Sequence, residues 1–180
     1  SNLFFDKPKD LKGSFDIDLN YNLTKQSFFS KVSSNQTSIN DFNLSFEKGS
    51  IDFRESFLNF DLSLLLENSG NPISLLGSIP LDKDDELDLR LRADQRFLDL
   101  IGNLSNQNFS FKNGEANLRM IIKGSLDKPI ANGFFFIKDA EIDILKNNLD
   151  DLNATFIFDF DQLEIKNFKA LGNQSGKISL

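Results

Sequence analysis

"IIKGSLDKPIANGFFFIKDAEIDI", residues 121–144, decides the fold. A first apolar strand runs into Gly124, a short turn carries Pro129, and Gly133 launches a second strand that opens with three phenylalanines. Glycine accepts the sharp bend or positive φ that other residues resist. Proline lacks an N–H, so it suits a turn or an edge better than a central ladder. Two apolar strands separated by such breakers read as one antiparallel hairpin step. Alternate counting along the second strand places Phe134, Phe136, Ile142 and Ile144 on one face.

The same period of two recurs along the chain. "SFDIDLNYNLT" sets Phe15, Ile17 and Leu19 against Asp16, Asp18 and Asn20. "LNFDLSLLL" carries Leu62 and Leu64, and "ELDLRLRAD" sets Leu87, Leu89 and Leu91 against Asp88, Arg90 and Arg92. "EANLRMIIKG" repeats it with Leu118, Met120 and Ile122, and "ATFIFDFDQ" with Phe156, Phe158 and Phe160. Turn formers lie between these runs: "EKGS", "NSGNP", "DKDDE", Asn113–Gly114, "LDKP", "KNN" and "LGNQSG". The pattern predicts about twelve strands of roughly five to eight residues, mostly antiparallel. One segment departs from it. "ADQRFLDLIGNL" spaces Phe97, Ile101 and Leu104 as on a helix that Gly102 and Asn103 can end.

One short helix cannot cover the apolar face of so many strands. That face must close into a barrel, pack on a second sheet, or line a trough that holds something apolar. Periodicity alone leaves the three open.

Composition narrows the function. The 180 residues contain no Cys and no His, which removes disulfides, thiolate and imidazole metal sites, and the Ser-His-Asp arrangement. A net charge of −7 argues against a surface that tracks nucleic-acid phosphates. Twenty Phe stand against one Tyr and no Trp. An AT-rich coding bias explains this, Asn, Lys and Ile being plentiful too; so does a surface that wants aromatic area without a polar handle. No apolar run approaches the ~20 residues of a membrane-crossing helix. The chain does not begin with Met and ends in "GKISL", which reads as the middle of a strand. It is therefore expected to be a segment of a longer protein whose targeting parts lie elsewhere.

Polar clusters offer little chemistry. "DKDDELD" gathers Asp82, Asp84, Asp85, Glu86 and Asp88 but lacks the Gly and ligand spacing of a calcium loop, and reads as a solvated turn. Asp16 with Asp18, and Asp159 with Asp161, sit two apart on the polar side of strands, the wrong placement for paired carboxylates across a sugar. The Asn-X-Ser/Thr triplets at Asn35, Asn43 and Asn153 arise by chance in so Asn- and Ser-rich a chain. There is no phosphate loop and no HExxH. The expectation is no catalytic residue, no metal and no cofactor.

Residues 121–144, with Gly124, Pro129, Gly133 and "FFFIKDAEIDI", resemble the C-terminal region of the TamB family, the translocation-and-assembly-module proteins of bacterial envelopes. The resemblance covers about residues 72–180; residues 1–71 fit by pattern alone. It implies an all-β, elongated, curled and mainly antiparallel sheet forming an apolar groove, with one short helix. The chain would be a single segment, residues 1–180, of a longer repetitive β-groove protein. It further implies a periplasmic location, an anchor in the inner membrane outside this segment, and conduction of phospholipid between the inner and outer membranes. The partners would be phospholipid acyl chains and an outer-membrane β-barrel insertase of the TamA type, with no nucleic acid. The residues lining the groove would be Phe15, Ile17, Leu19, Leu62, Leu64, Leu87, Leu89, Leu91, Leu118, Met120, Ile122, Phe134, Phe136, Ile142, Ile144, Phe156, Phe158 and Phe160. Two other readings stay open. One is a chaperone-like module that binds outer-membrane protein strands by edge pairing; the other is a structural solenoid or adhesin-like repeat.

Overall fold

The computed structural model describes residues 11–39, 42–67, 71–94, 96–104, 109–144, 147–172 and 177–179. They form one antiparallel sheet of eleven strands whose spatial order follows the chain. The strands are β1 (Leu11–Asn22), β2 (Ser27–Ile39), β3 (Phe42–Arg54), β4 (Phe57–Leu66), β5 (Ile73–Pro80) and β6 (Leu87–Asp94). After the helix α1 (Arg96–Leu104) come β7 (Phe109–Ser125), β8 (Lys128–Ile144), β9 (Asn147–Phe160), β10 (Gln162–Gly172) and β11 (Lys177–Ser179). Among the described residues β1 and β11 do not pair with each other, so the sheet is open.

Several strands are longer than the turn signals predict, β7 and β8 running to 17 residues each. The reason is that many expected breakers sit inside ladders. "EKGS" lies within β3, where the register slips between Phe46 and Lys48. Asn113–Gly114 forms a bulge in β7, with Gly114 at φ +112°. Asn147 and Asn148 belong to β9, and Leu171 and Gly172 of "LGNQSG" to β10; residues 173–176 lie outside the described part. A bulge absorbs an extra residue and bends the strand without ending it.

The opening stretch is corrected in the same way. The hairpin turn is Leu126–Asp127, and Ser125 pairs with Lys128 across it. Pro129 stands in β8 opposite Gly124. It is tolerated there because β9 pairs with β8 only from Ala131 onward, leaving no ladder on that side for its missing N–H. Gly133 does not launch the strand either; it lies well inside β8 opposite Met120. Gly124 and Gly133 do adopt positive φ, +90° and +150°. At Gly133 a Cβ would fall on the Arg119 carbonyl oxygen and 2.8 Å from Met120 Cα, so only glycine lets β7 and β8 approach this closely. Gly77, at φ +139°, meets the Asp88 carbonyl of β6 in the same manner.

A line of left-handed residues crosses the last four long strands: Gly114 in β7, Asp139 in β8, Asp151 in β9 and Asn167 in β10. The β8–β9 and β9–β10 registers slip beside them. Asn153 ties two of these bulges together, its Oδ1 accepting from the Asp139 N–H and its Nδ2 donating to the Asp151 carbonyl. Aligned bulges add twist and bend in one direction, which curls the sheet.

The driest packing lies toward the end of the sheet that bears α1. Ala140, Ile142, Leu152, Ala154 and Ala170 are buried there, with Phe109, Phe111, Ile137, Leu149, Phe156 and Phe168 packed around them. Leu44, Leu66, Ala93, Ala116 and Leu118 are buried in the same half. Helix α1 packs on β7 and β6 through buried Leu98 and half-buried Phe97; the side chains of Ile101 and Leu104 lie outside the described part. Gly102 does not end the helix. It lets it touch β7, since a Cβ there would stand 3.0 Å from the Phe109 carbonyl.

Candidate functional site: an open apolar face

Antiparallel pairing places directly opposite residues on one face, so the register assigns every side chain. One row reads Leu19, Ser30, Ile51, Phe60, Gly77, Leu89, Ile122, Ala131 and Phe160 across nine successive strands. The next reads Gly49, Leu62, Leu75, Leu91, Met120, Gly133, Phe158 and Leu163. A third contains Ala93, Leu118, Phe135, Phe156 and Ile165. Phe15, Ile17, Leu64, Leu87, Ile142 and Ile144 extend the same face. The result is one largely apolar surface across the sheet, with Ser30 of β2 as a polar member of its first row, here called the inner face.

Two expected lining residues stand elsewhere. Phe134 pairs with Arg119 and Ile157, and Phe136 with Asn117 and Thr155, all on the outer face. Phe135 takes the inner position, its ring stacked on Phe156 at 5.8 Å. The cause is the bulge at Asp139, which shifts the parity of β8 by one between Ile137 and Ala140. Counting back from Ile142 and Ile144 in steps of two therefore lands on the wrong phenylalanines. Nothing in "FFFIKD" shows the parity, because three consecutive aromatics satisfy either face. Phe60, which alternates with Leu62 and Leu64 in "LNFDLSLLL", takes the inner face with them; Leu75 and Ile51 were missed, though Ser74 beside Leu75 and Ser50 and Asp52 beside Ile51 were a signal that was present.

The inner face is not sealed by its own packing. Its central side chains from β3 to β9 are mostly half-buried. Ile17 and Leu19 on β1 are 65% and 60% exposed, and Leu163 on β10 is 55% exposed. A second sheet laid over this face would bring such residues close to full burial. Among the described residues the helix packs chiefly on β7 and β6.

The outer face carries charges in ordinary surface pairs. Lys112 Nζ contacts Glu141 at 2.7 Å and Asp143 at 3.2 Å, and Lys123 contacts Asp88 at 3.6 Å. Hydrogen bonding to Glu141 leads in raising the Lys112 pKa above its ordinary value, Asp143 adding to it. "DKDDELD" divides: Asp82, Asp84, Asp85 and Glu86 are exposed in the β5–β6 turn, whereas Asp88 faces Lys123 and Arg90 from β6. Asp16, Asp18, Asp159 and Asp161 are exposed. The side chain of Asn35 lies outside the described part; Asn43 binds Glu67 and Asn153 serves the bulges. Two shallow outer depressions, of about 510 and 390 Å³, surround Phe29, Asp52 and Arg54, and Asp61, Asp88 and Arg90. Among the described residues no group of three or more acidic side chains is placed to hold a metal ion, and no helix is long and apolar enough to cross a membrane.

Comparison with protein-family models, with curated proteins and with solved structures returns no match.

Proposed function

We propose that this chain is a segment of a TamB-like envelope protein whose inner face takes up phospholipid acyl chains and conducts them between the inner and outer membranes. The observation that carries the reading is the inner face itself: largely apolar rows spanning five to nine strands, left half-exposed with one short helix among the described residues. Apolar patches of this extent on a soluble fold mark a surface built for an apolar partner. Each buried CH₂ is worth about 0.8 kcal/mol, so a whole acyl chain in water is penalised by roughly ten. A continuous apolar floor removes much of that penalty at every position, and its non-directional contacts leave the chain free to slide. Catalysis has no part in this reading. A periplasmic setting, an inner-membrane anchor elsewhere in the protein, and strand addition to a TamA-type barrel insertase belong to the same proposal.

The test is native mass spectrometry of the purified chain, with photo-crosslinkers at Leu89, Met120 and Phe158. Co-purified phospholipid and lipid adducts at all three are expected. Peptide adducts in place of lipid would favour the chaperone-like reading, and a lipid-free protein without adducts would refute the groove.

A further inference from the structure

The chain contains two Asn–Gly steps, Asn113–Gly114 in β7 and Asn132–Gly133 in β8. Such a step is chemically labile, because the glycine carries no Cβ to shield its backbone nitrogen from the neighbouring asparagine Cγ or to restrict the rotation that joins them. The fold treats the two steps differently. Asn132 and Gly133 lie in unbroken ladders on both sides, Asn132 opposite Ile121 and Asp159, Gly133 opposite Met120 and Phe158. Asn132 is half-buried, and Gly133 stands against the Arg119 carbonyl. Asn113 is exposed and sits between two register slips: it pairs with Glu141, Glu115 pairs with Lys138, and the pairing passes over Lys112 and Gly114. Among the described residues β6 pairs with β7 only from Asn117 onward, so ladder bonds hold Asn113 on the β8 side alone.

We propose that Asn113 is a site of spontaneous deamidation, and that its conversion loosens the α1 end of the β7–β8 pair. The Gly114 nitrogen bonds to Asn113 Cγ, the Cγ–Nδ2 bond breaks, and the proton from the attacking nitrogen leaves with the amine as ammonia. The product is a succinimide, which water opens at either carbonyl. Cleavage at Cγ leaves aspartate on the original backbone; cleavage at the main-chain carbonyl leaves isoaspartate, whose backbone is one methylene longer. Both products disturb the same contacts. Asn113 Nδ2 donates to Glu141 Oε2 at 3.1 Å, while Glu141 Oε1 accepts from Lys112 Nζ at 2.7 Å. A carboxylate at position 113 loses the donor and meets Glu141 with like charge across the strands. Isoaspartate in addition lengthens a bulge that has no slack, since a Cβ on Gly114 would stand 2.5 Å from Ala140 Cα. Ala140 belongs to the buried cluster on which Phe109 and Phe111 pack, so the disturbance reaches the first residues of β7.

The test incubates the purified chain at mildly alkaline pH, folded and in urea, and follows both steps by peptide-mapping mass spectrometry with isoaspartate assignment. In the folded protein Asn113 is expected to convert about tenfold or more faster than Asn132, which must wait for its two ladders to open. In urea the two should convert at similar rates, which assigns the difference to the fold. Equal rates in the folded protein, faster conversion of Asn132, or an intact Asn113 after the unfolded chain has converted would overturn the assignment. The second readout is hydrogen exchange of residues 109–115 and 138–144 in the converted protein, with Asn113→Gln incubated alongside as the unconverted control. Exchange about threefold or more faster than in the control is expected, the scale of one lost hydrogen bond with added charge repulsion. Unchanged exchange overturns the loosening.

Discussion

Replacing Gly133 by Ala tests the curled geometry most directly. A Cβ at this position stands 2.8 Å from Met120 Cα and closer still to the Arg119 oxygen. Comfortable carbon contacts need about 3.5 Å, so β7 and β8 must separate locally by about 1 Å. Ladder bonds of about 2.9 Å do not survive such an opening, and the two flanking the site contribute about 1 kcal/mol each. The alanine must also hold a φ near +150°, at about 1–3 kcal/mol. Together these predict a loss of about 3–5 kcal/mol. With a urea slope of about 2 kcal/mol per molar, the midpoint should fall by about 2 M. Far-UV circular dichroism during urea unfolding measures it, with Asn132→Ala on the same strand as a control expected to stay within about 0.5 kcal/mol. A Gly133→Ala protein that unfolds with the parent's midpoint and slope would refute the close approach of β7 and β8.

Two further outcomes follow from the register and the charges. Phe135→Asn should sharply reduce lipid loading while Phe134→Asn leaves it close to the parent's, because the Asp139 bulge puts only Phe135 on the inner face; native mass spectrometry of both variants decides this, and the reverse result would show that the parity is wrong. Lys112 has its pKa raised by Glu141 and then Asp143, so its contribution to stability is present below the unfolded-state value of 10.5 and is lost as pH rises through the higher folded value. Urea titrations at pH 9 and above pH 11 should therefore show a smaller alkaline loss in Lys112→Met than in the parent.

Much of the fold was legible in the sequence because a β-strand writes its two faces in alternate letters. The rows through Leu19, Leu89, Ile122 and Phe160, and through Leu62, Leu91, Met120 and Phe158, contain residues chosen by alternation alone, and the register joins them. The short helix was legible from its different period. Glu55–Ser56 was not recognised as a hairpin turn, since both residues adopt positive φ without Gly, Asn or Asp to announce it.

By itself, the sequence determined that this protein is a long antiparallel sheet with one apolar side and too little helix to cover it. Those properties are local, set by the side-chain period of two and by the residues that turns require. Tertiary structure alone decided where strands continue through their glycines, which of three phenylalanines faces inward, and that the first and last described strands do not pair. Each of those depends on how neighbouring strands pair: a bulge changes parity only relative to its partner, and Gly133 is needed only because the Arg119 carbonyl lies against it.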